Sequence, residues 1–120
     1  MKTQKTSVTA QLHHRADTQG RRTLIVQVIR ARRSSTLSIP YRLHPDEFDI
    51  RTRQVVVRSR SPRRRSELRE AYACLETTIR GLQAVVRRLD ETGKLYTASD
   101  VTDAYRREGD RRYLAPSSAS

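Results

Sequence analysis

The chain has 120 residues, and its 25 Lys and Arg against 13 Asp and Glu give a formal net charge of +12 and a pI near 11.1. This length suits one small domain and is too short for most enzymes that need a separate catalytic domain. A single cysteine, Cys74, excludes an intramolecular disulfide framework. No apolar run approaches the roughly 20 residues of a membrane span and no signal peptide is recognisable, so we expect a cytoplasmic protein without a membrane partner.

The excess positive charge lies in the first half of the chain. Residues 1–65 hold 16 Lys and Arg against four acids, whereas residues 66–120 hold nine of each sign. Such a concentration indicates a surface that faces a polyanion, because mutual repulsion makes it costly to keep compact without a partner. The alternative is a solvated basic surface that binds nothing.

Three segments of the first half predict β-strands. Residues 7–13 alternate polar and apolar side chains, residues 22–32 are rich in β-branched residues, and residues 36–43 alternate again. Their short connections predict an antiparallel meander. Pro40 lacks an N–H group, so the third strand should lie at an edge or contain a bulge. The predicted inner face consists of Val8, Ala10, Leu12, Leu24, Val26, Val28, Leu37, Ile39, Tyr41 and Leu43.

A long helix is predicted to cover this sheet. Ser61, followed by Pro62, and Ser66 are competing N-terminal caps, and Gly93 is a natural end. Apolar residues between them recur at alternating spacings of four and three, which is the pattern of one helical face. A coiled coil has the same spacing, but three heptads are few for one, so packing on the sheet is favoured. The face consists of Leu68, Tyr72, Leu75, Ile79, Leu82, Val86 and Leu89.

A shorter helix is expected after Thr97, because Thr97 and Asp100 match a capping box, and it is expected to end at Gly109. The predicted fold is therefore α+β: a three-stranded antiparallel sheet packed against a long C-terminal helix, plus one short helix. Residues 1–60 would form the basic sheet and residues 61–109 the two helices. Residues 110–120 are interpreted as a linker or a disordered tail.

The sequence contains no recognisable active site. His13 and His14 are adjacent, so on a strand they would point to opposite faces and could not share a metal ion. Cys74 lies beside the apolar face of the long helix and is predicted to be a half-buried apolar residue. No Gly-rich phosphate loop, nucleophile elbow or pair of catalytic carboxylates is present. We therefore predict no catalytic residue, no metal site and no cofactor.

Polar and basic residues of the first half indicate a function instead. The major groove of B-DNA, about 12 Å wide, accepts a ribbon of two or three strands, and the outer face of the predicted sheet carries hydrogen-bonding side chains. A second cluster precedes the long helix, where it is either a phosphate-binding group or a flexible basic linker. The candidate DNA-binding residues are Thr9, Gln11, His13, Arg15, Arg21, Arg22, Gln27, Arg30, Arg32, Arg33, Ser38, Arg42, Arg58, Arg60, Arg63, Arg64 and Arg65.

This order of elements resembles the N-terminal arm-binding region of bacterial tyrosine recombinases, the integrases of phages and other mobile elements. The turn at residues 45–49 is similar to the family's proline–acid–acid–aromatic–Asp turn, with Phe48 where tryptophan is usual. Residues 97–104 are similar to the family's short helix, and the resemblance covers about residues 6–108. It implies a sheet that enters the major groove of arm-type or accessory sites. It also implies that the catalytic Arg, His and Tyr lie in a later domain, so no tyrosine of this chain cleaves DNA.

Two other functions stay open at this point. The helices could form a protein-interaction or oligomerisation module of a mobile-element protein, and exposed apolar residues on the long helix would favour that function. The chain could also be a basic RNA-associated protein, although the predicted outer face has no Tyr or Phe for stacking on single-stranded bases. The partners expected from the favoured interpretation are duplex DNA and other protomers of the recombinase, in a nucleoid-associated setting.

Overall fold

The computed structural model describes the backbone of residues 5–119 and the side chains of residues 5–108. It has the α+β architecture predicted from the sequence, with a three-stranded sheet and two helices. A single 3₁₀ turn, Pro45–Glu47, follows the sheet. The other elements are β1 (Thr6–Ala16), β2 (Arg22–Arg30), β3 (Arg33–Leu43), β4 (Phe48–Asp49), β5 (Gln54–Val55), α1 (Pro62–Thr92) and α2 (Ala98–Ala119).

The main sheet is an antiparallel meander in the order β1-β2-β3. Thr23 opposes Arg42 while Ile25 opposes Ser38, so β3 contains a bulge of two extra residues there. Pro40 lies inside this bulge on an edge strand, where its missing N–H leaves no ladder bond unmade. An insertion of two residues keeps the alternation of faces in phase, which explains why the predicted inner face is confirmed.

The core lies between the inner face of the sheet and the helices. Leu24, Val26 and Val28 of the central strand are fully buried, and they belong to the same cluster as Leu68 and Leu75 of α1. The apolar face of α1 therefore packs on the sheet, as predicted. The line of closest contact between α1 and the sheet is shifted from the predicted face, because small or short side chains allow the closest approach. Four residues of the predicted face are therefore only half-buried: Tyr72, Ile79, Val86 and Leu89. The buried residues of α1 are Leu68, Ala71, Leu75, Thr78, Leu82 and Val85.

Both ends of α1 follow the sequence signals. The structure selects Ser61 over Ser66 as the N-cap, because the Ser61 hydroxyl accepts a hydrogen bond from the Arg64 N–H at 3.4 Å and Pro62 occupies the first helical position. Gly93 ends the helix with φ of 71°, a left-handed conformation that glycine adopts without steric cost.

The second helix, α2, begins as predicted and ends later. The Thr97 N–H donates to the Asp100 carboxylate at 2.8 Å, and the Asp100 N–H donates to the Thr97 hydroxyl at 3.2 Å, which confirms the capping box. The predicted end at Gly109 is wrong, since the helix continues to Ala119. A glycine inside a helix costs only about 1 kcal/mol, so Gly109 alone does not end the helix. The side chains of the predicted tail, 110–120, lie outside the described residues.

The two helices approach each other closely at Gly81. A Cβ atom at this position would lie 2.4 Å from the Tyr105 ring, so the ring of α2 occupies the space that any larger residue of α1 would fill. Within the described part of the chain, no helix combines the length and the apolarity that crossing a membrane requires.

Candidate nucleic-acid interface

The outer face of the sheet is mostly polar, and its side chains are half-buried or exposed except for Ile25. Across the three strands, Thr9, Gln27 and Thr36 form one row, and Gln11, Ile25 and Ser38 form the next. The helix residues in the core cluster contact the inner face, and α2 reaches the first row at the β3 edge, where Arg106 Nη2 donates to the Thr36 carbonyl at 3.4 Å. At about 4.8 Å per strand, the ribbon measures about 10 Å between its edge strands, against about 12 Å for the major groove.

Two glutamine side chains occupy the centre of this face. Gln11 Nε2 donates a hydrogen bond to Gln27 Oε1 at 3.3 Å, across β1 and β2. Ile25 lies between Gln11 and Ser38 in the second row. It is only 6 % exposed, although it does not belong to the main core cluster. The amide N–H groups of Gln27 and the amide oxygen of Gln11 provide donors and an acceptor at one place, which is the chemistry that recognises base edges.

Asp17 organises the end of the face next to the β1–β2 loop. Its Oδ1 accepts the backbone N–H groups of Arg21 at 2.8 Å and Gln19 at 2.9 Å. Its Oδ2 lies 3.4 Å from both Arg21 Nε and Arg42 Nη1. The Arg21 N–H contributes most to a lowered pKa of the Asp17 carboxyl, and the other bonds and the charge of Arg21 outweigh the opposing effect of desolvation. The carboxylate thus fixes two predicted site arginines at this end of the sheet.

The opposite end of the face is a strained turn. The two residues between β2 and β3, Ala31 and Arg32, have φ of 52° and 65°. Two-residue hairpins with both residues left-handed favour Asn-Gly or Gly-Gly, and other residues pay about 1–2 kcal/mol each in this conformation. Arg32 and Arg33 nevertheless stand exposed at the tip. Backbone strain of this kind is retained where a side chain has a function.

Arg30 differs from the neighbouring arginines because its side chain lies on the inner side of the sheet. It is 8 % exposed, and its guanidinium carbon lies 3.8 Å from the centre of the Tyr96 ring. Its nitrogens donate to the Tyr96 carbonyl at 3.1 Å and to the Thr6 hydroxyl at 2.8 Å. Alternation along β2 gives Arg30 the same side as Val28, so it ties the α1–α2 loop to the sheet and is not part of the outer face.

Arg64 also has a structural position. Its Nη2 and Nε lie 2.5 and 2.9 Å from the two carboxylate oxygens of Glu47, and its Nη1 lies 2.8 Å from Glu67. Its Nη2 also donates to the Arg42 carbonyl at 3.1 Å. The hydrogen bonds to Glu47 raise the pKa of Arg64 above its usual value. This guanidinium is neutralised within the fold, and it attaches the start of α1 to the end of β3.

The rest of the second basic cluster is accessible. Arg58, Arg60, Arg63 and Arg65 are exposed. The bond from Arg64 to the β3 end places this cluster near Arg42, at the end of the sheet opposite Arg32 and Arg33. Arg15 is exposed near the end of strand β1, and Arg22 is half-buried at the start of β2.

The histidine pair departs from the prediction of opposite faces. The rings of His13 and His14 stack at 4.4 Å, because β1 is irregular between Leu12 and Ala16 and strict alternation is lost there. His13 Nδ1 accepts the N–H of Arg15 at 3.1 Å. No group of three or more His, Cys, Asp or Glu residues among those described could hold a metal ion. Cys74 is half-buried against the core, as predicted.

Two residues of the site escaped sequence analysis. Asp17 is not among the candidate residues, although its position three to four residues before Gly20 and Arg21 is typical of a side chain that caps a turn. Arg53, in the β4–β5 turn, has φ of 57° and donates to the Ala10 carbonyl at 3.3 Å. Nothing in a local pattern relates residue 53 to residue 10, so only the tertiary structure reveals this contact.

Comparison with protein-family models, with curated proteins and with solved structures gives no match for the chain. Its function is therefore argued from the geometry above.

Proposed function

We propose that this chain is a duplex-DNA-binding module that lays the outer face of β1–β3 in the major groove. The observation that carries the proposal is a solvent-facing, hydrogen-bonding sheet face of groove width with arginines at both ends. Bases would be read by side chains such as Gln11 and Gln27, and phosphates would be bound by the exposed arginines. The chain itself would bind, and not cleave, the DNA.

The residues proposed for DNA contact are the sequence-predicted candidates that the structure leaves exposed or half-buried without a role in the fold. Thr9, Gln11, His13, Gln27, Ser38 and Arg42 lie on the outer face by strand alternation, whereas the arginines of the second basic cluster precede or begin α1. The proposed set excludes Arg30 and Arg64, whose guanidiniums serve the fold. The proposed contacts are Thr9, Gln11, His13, Arg15, Arg21, Arg22, Gln27, Arg32, Arg33, Ser38, Arg42, Arg58, Arg60, Arg63 and Arg65.

The biological setting proposed is the non-catalytic N-terminal module of a mobile-element tyrosine recombinase, in DNA integration and recombination. The element order, the 3₁₀ turn at Pro45–Glu47 and the capped start of α2 support it. Strand cleavage would then belong to another domain of the parent protein, and association with the nucleoid would follow from DNA binding.

The competing functions have less support. An oligomerisation helix should expose apolar residues, but among the described side chains the exposed large apolar residues are Ile29, Ile50 and Leu95, and none of these lies on α1. A reader of single-stranded RNA needs exposed aromatic rings for stacking, and no Tyr or Phe occupies the described outer face. Both functions are outcomes of the experiments below.

Duplex binding is expected to depend strongly on salt. If about four to six phosphates are contacted, a plot of log affinity against log salt concentration should have a slope of about −4 to −5, at roughly 0.9 per phosphate. Titrations of labelled duplex at several salt concentrations measure this slope, with random duplex and single-stranded RNA as comparisons. A flat response, or tighter binding to the RNA, would contradict the proposal.

The strained turn predicts opposite effects on stability and binding. Replacing Ala31 and Arg32 together with Asn-Gly should raise the free energy of unfolding by about 1 kcal/mol, because these residues suit the left-handed turn. It should weaken duplex binding, because it removes an exposed guanidinium. The control is Ala31→Gly, which relieves strain and keeps Arg32, so its affinity should equal that of the wild type. An unchanged affinity of the double variant would show that Arg32 is not part of the DNA-binding surface.

A further inference from the structure

A small cavity lies beside the edge of β1, where it adjoins the outer face of the sheet at Gln11. It has a volume of about 220 Å³. The walls come from β1, the start of β2, the 3₁₀ turn and the β4–β5 turn. The lining residues are Gln11, Leu12, Arg22, Pro45, Phe48, Ile50 and Arg53.

The chemistry of this cavity suits an anion that is attached to an apolar group. Arg22 and Arg53 supply two guanidiniums, and the lining contains no carboxylate. The nearest acids are engaged elsewhere: Glu47 binds Arg64, and Asp49 Oδ1 accepts the Arg51 N–H at 2.8 Å. Arg22 Nε is buried without a hydrogen-bond partner, so an anion in the cavity would supply the missing acceptor.

Ile50 and Arg53 add two independent observations. Ile50 is 72 % exposed at the rim of the cavity, although exposing a large apolar side chain to water does not stabilise the fold. Arg53 stands at φ of 57°, a conformation that glycine or asparagine adopts more readily. The turn thus holds an apolar wall and a guanidinium at an energetic cost.

We infer that this cavity binds one sugar-phosphate unit of the duplex, with the phosphate between Arg22 and Arg53 and the deoxyribose against Ile50. The inference rests on the proposed function. A ribbon about 10 Å wide in a groove about 12 Å wide has a DNA backbone along each edge. The β1 edge is where this cavity opens, and Gln11 belongs both to the cavity and to the outer face. The β4–β5 turn therefore fixes the position of the sheet in the groove.

The test compares two arginines of the same turn. Arg53→Gly removes the lining guanidinium and suits the local φ, so the protein should stay folded. With a mixed-sequence duplex, it should reduce the magnitude of the salt slope by about 0.9, the loss of one phosphate contact, and weaken binding several-fold. Arg51→Ala removes the same charge from a residue that does not line the cavity, and should leave the slope unchanged. In the wild type, the Nε–H signals of Arg22 and Arg53 should shift on adding the duplex.

The outcomes separate this inference from the proposed function. A wild type that binds duplex with a steep salt slope, together with an Arg53→Gly variant of equal slope and affinity, overturns the cavity assignment and leaves the function standing. Absence of duplex binding by the wild type overturns both. Thymidine monophosphate tests a free nucleotide as the ligand: if it shifts the two arginine signals and the duplex does not, the duplex assignment is wrong.

Discussion

Replacing Leu75 with alanine is expected to lower the free energy of unfolding by about 2–5 kcal/mol. Leu75 lies in the middle of α1 and is 2 % exposed, in one cluster with Leu24 and Val26 of the sheet. Truncation removes apolar contacts and leaves a cavity that the surrounding residues fill only in part. Denaturant unfolding with wild type and variant measures the effect, which is large for a domain of this size.

The same variant separates stability from binding. At a temperature at which it is still folded, its affinity for duplex DNA should equal that of the wild type, because Leu75 is buried in the core and is not among the proposed contacts. A matched control is Ala73→Ser, an exposed position on the same helix, which should leave the affinity unchanged and cost only about 0.5 kcal/mol through helix propensity. A Leu75→Ala protein that stays fully folded but changes from dimer to monomer would make α1 an oligomerisation helix and contradict the packing described here.

Replacing Glu47 with glutamine is expected to cost about 2–3 kcal/mol, below the range for a fully buried ion pair because both side chains retain some exposure. The variant leaves Arg64 without its closest counter-ion but keeps an oxygen for the His44 N–H, which donates to Glu47 at 2.8 Å. Denaturant unfolding measures the loss. Glu67→Gln is the control, because Glu67 contacts the same Arg64 from an exposed position and should cost under about 1 kcal/mol.

The Glu47 pair also predicts a pH dependence. Burial alone would raise the pKa of Glu47, but the hydrogen bonds and charge of Arg64 and the N–H of His44 outweigh it, and the pKa falls below its ordinary value of 4.5. A lowered pKa stabilises the fold above the unfolded value and loses that contribution as the pH falls through the folded value. The stability difference between wild type and Glu47→Gln should therefore be full at neutral pH and shrink below about pH 4.5. A difference that grows in acid would contradict this pairing.

The strands and helices could be predicted because their signals are local. On either side of the bulges in β1 and β3 the strand faces stay in phase, since each insertion has two residues, so the alternation seen along residues 7–13 and 36–43 predicts the inner face correctly. The cap at Ser61 and the capping box at Thr97 are likewise set by neighbours in sequence. The features that could not be predicted from the sequence depend on contacts between residues that are distant in sequence. Arg30 and Arg64 resemble the other arginines in sequence, and only Tyr96 and Glu47 show that they are structural.

The candidate site shows the same division. The outer-face residues Thr9, Gln11 and Gln27 follow from strand periodicity, whereas the cavity beside β1 depends on a short hairpin, β4–β5, that no periodic pattern marks. Stacking of His13 on His14 could not be foreseen either, because the bulge that permits it has no signature in a stretch of polar residues.

The most direct test of the account is to map the duplex on the folded protein through backbone amide signals. On adding a mixed-sequence duplex at low salt, the largest shifts should fall on the row Thr9, Gln27 and Thr36. Amides on the exposed side of α1, such as those of Ala73, Thr77 and Ala84, should not move. Shifts confined to α1, or no shift anywhere at low salt, would contradict binding through the outer face of the sheet.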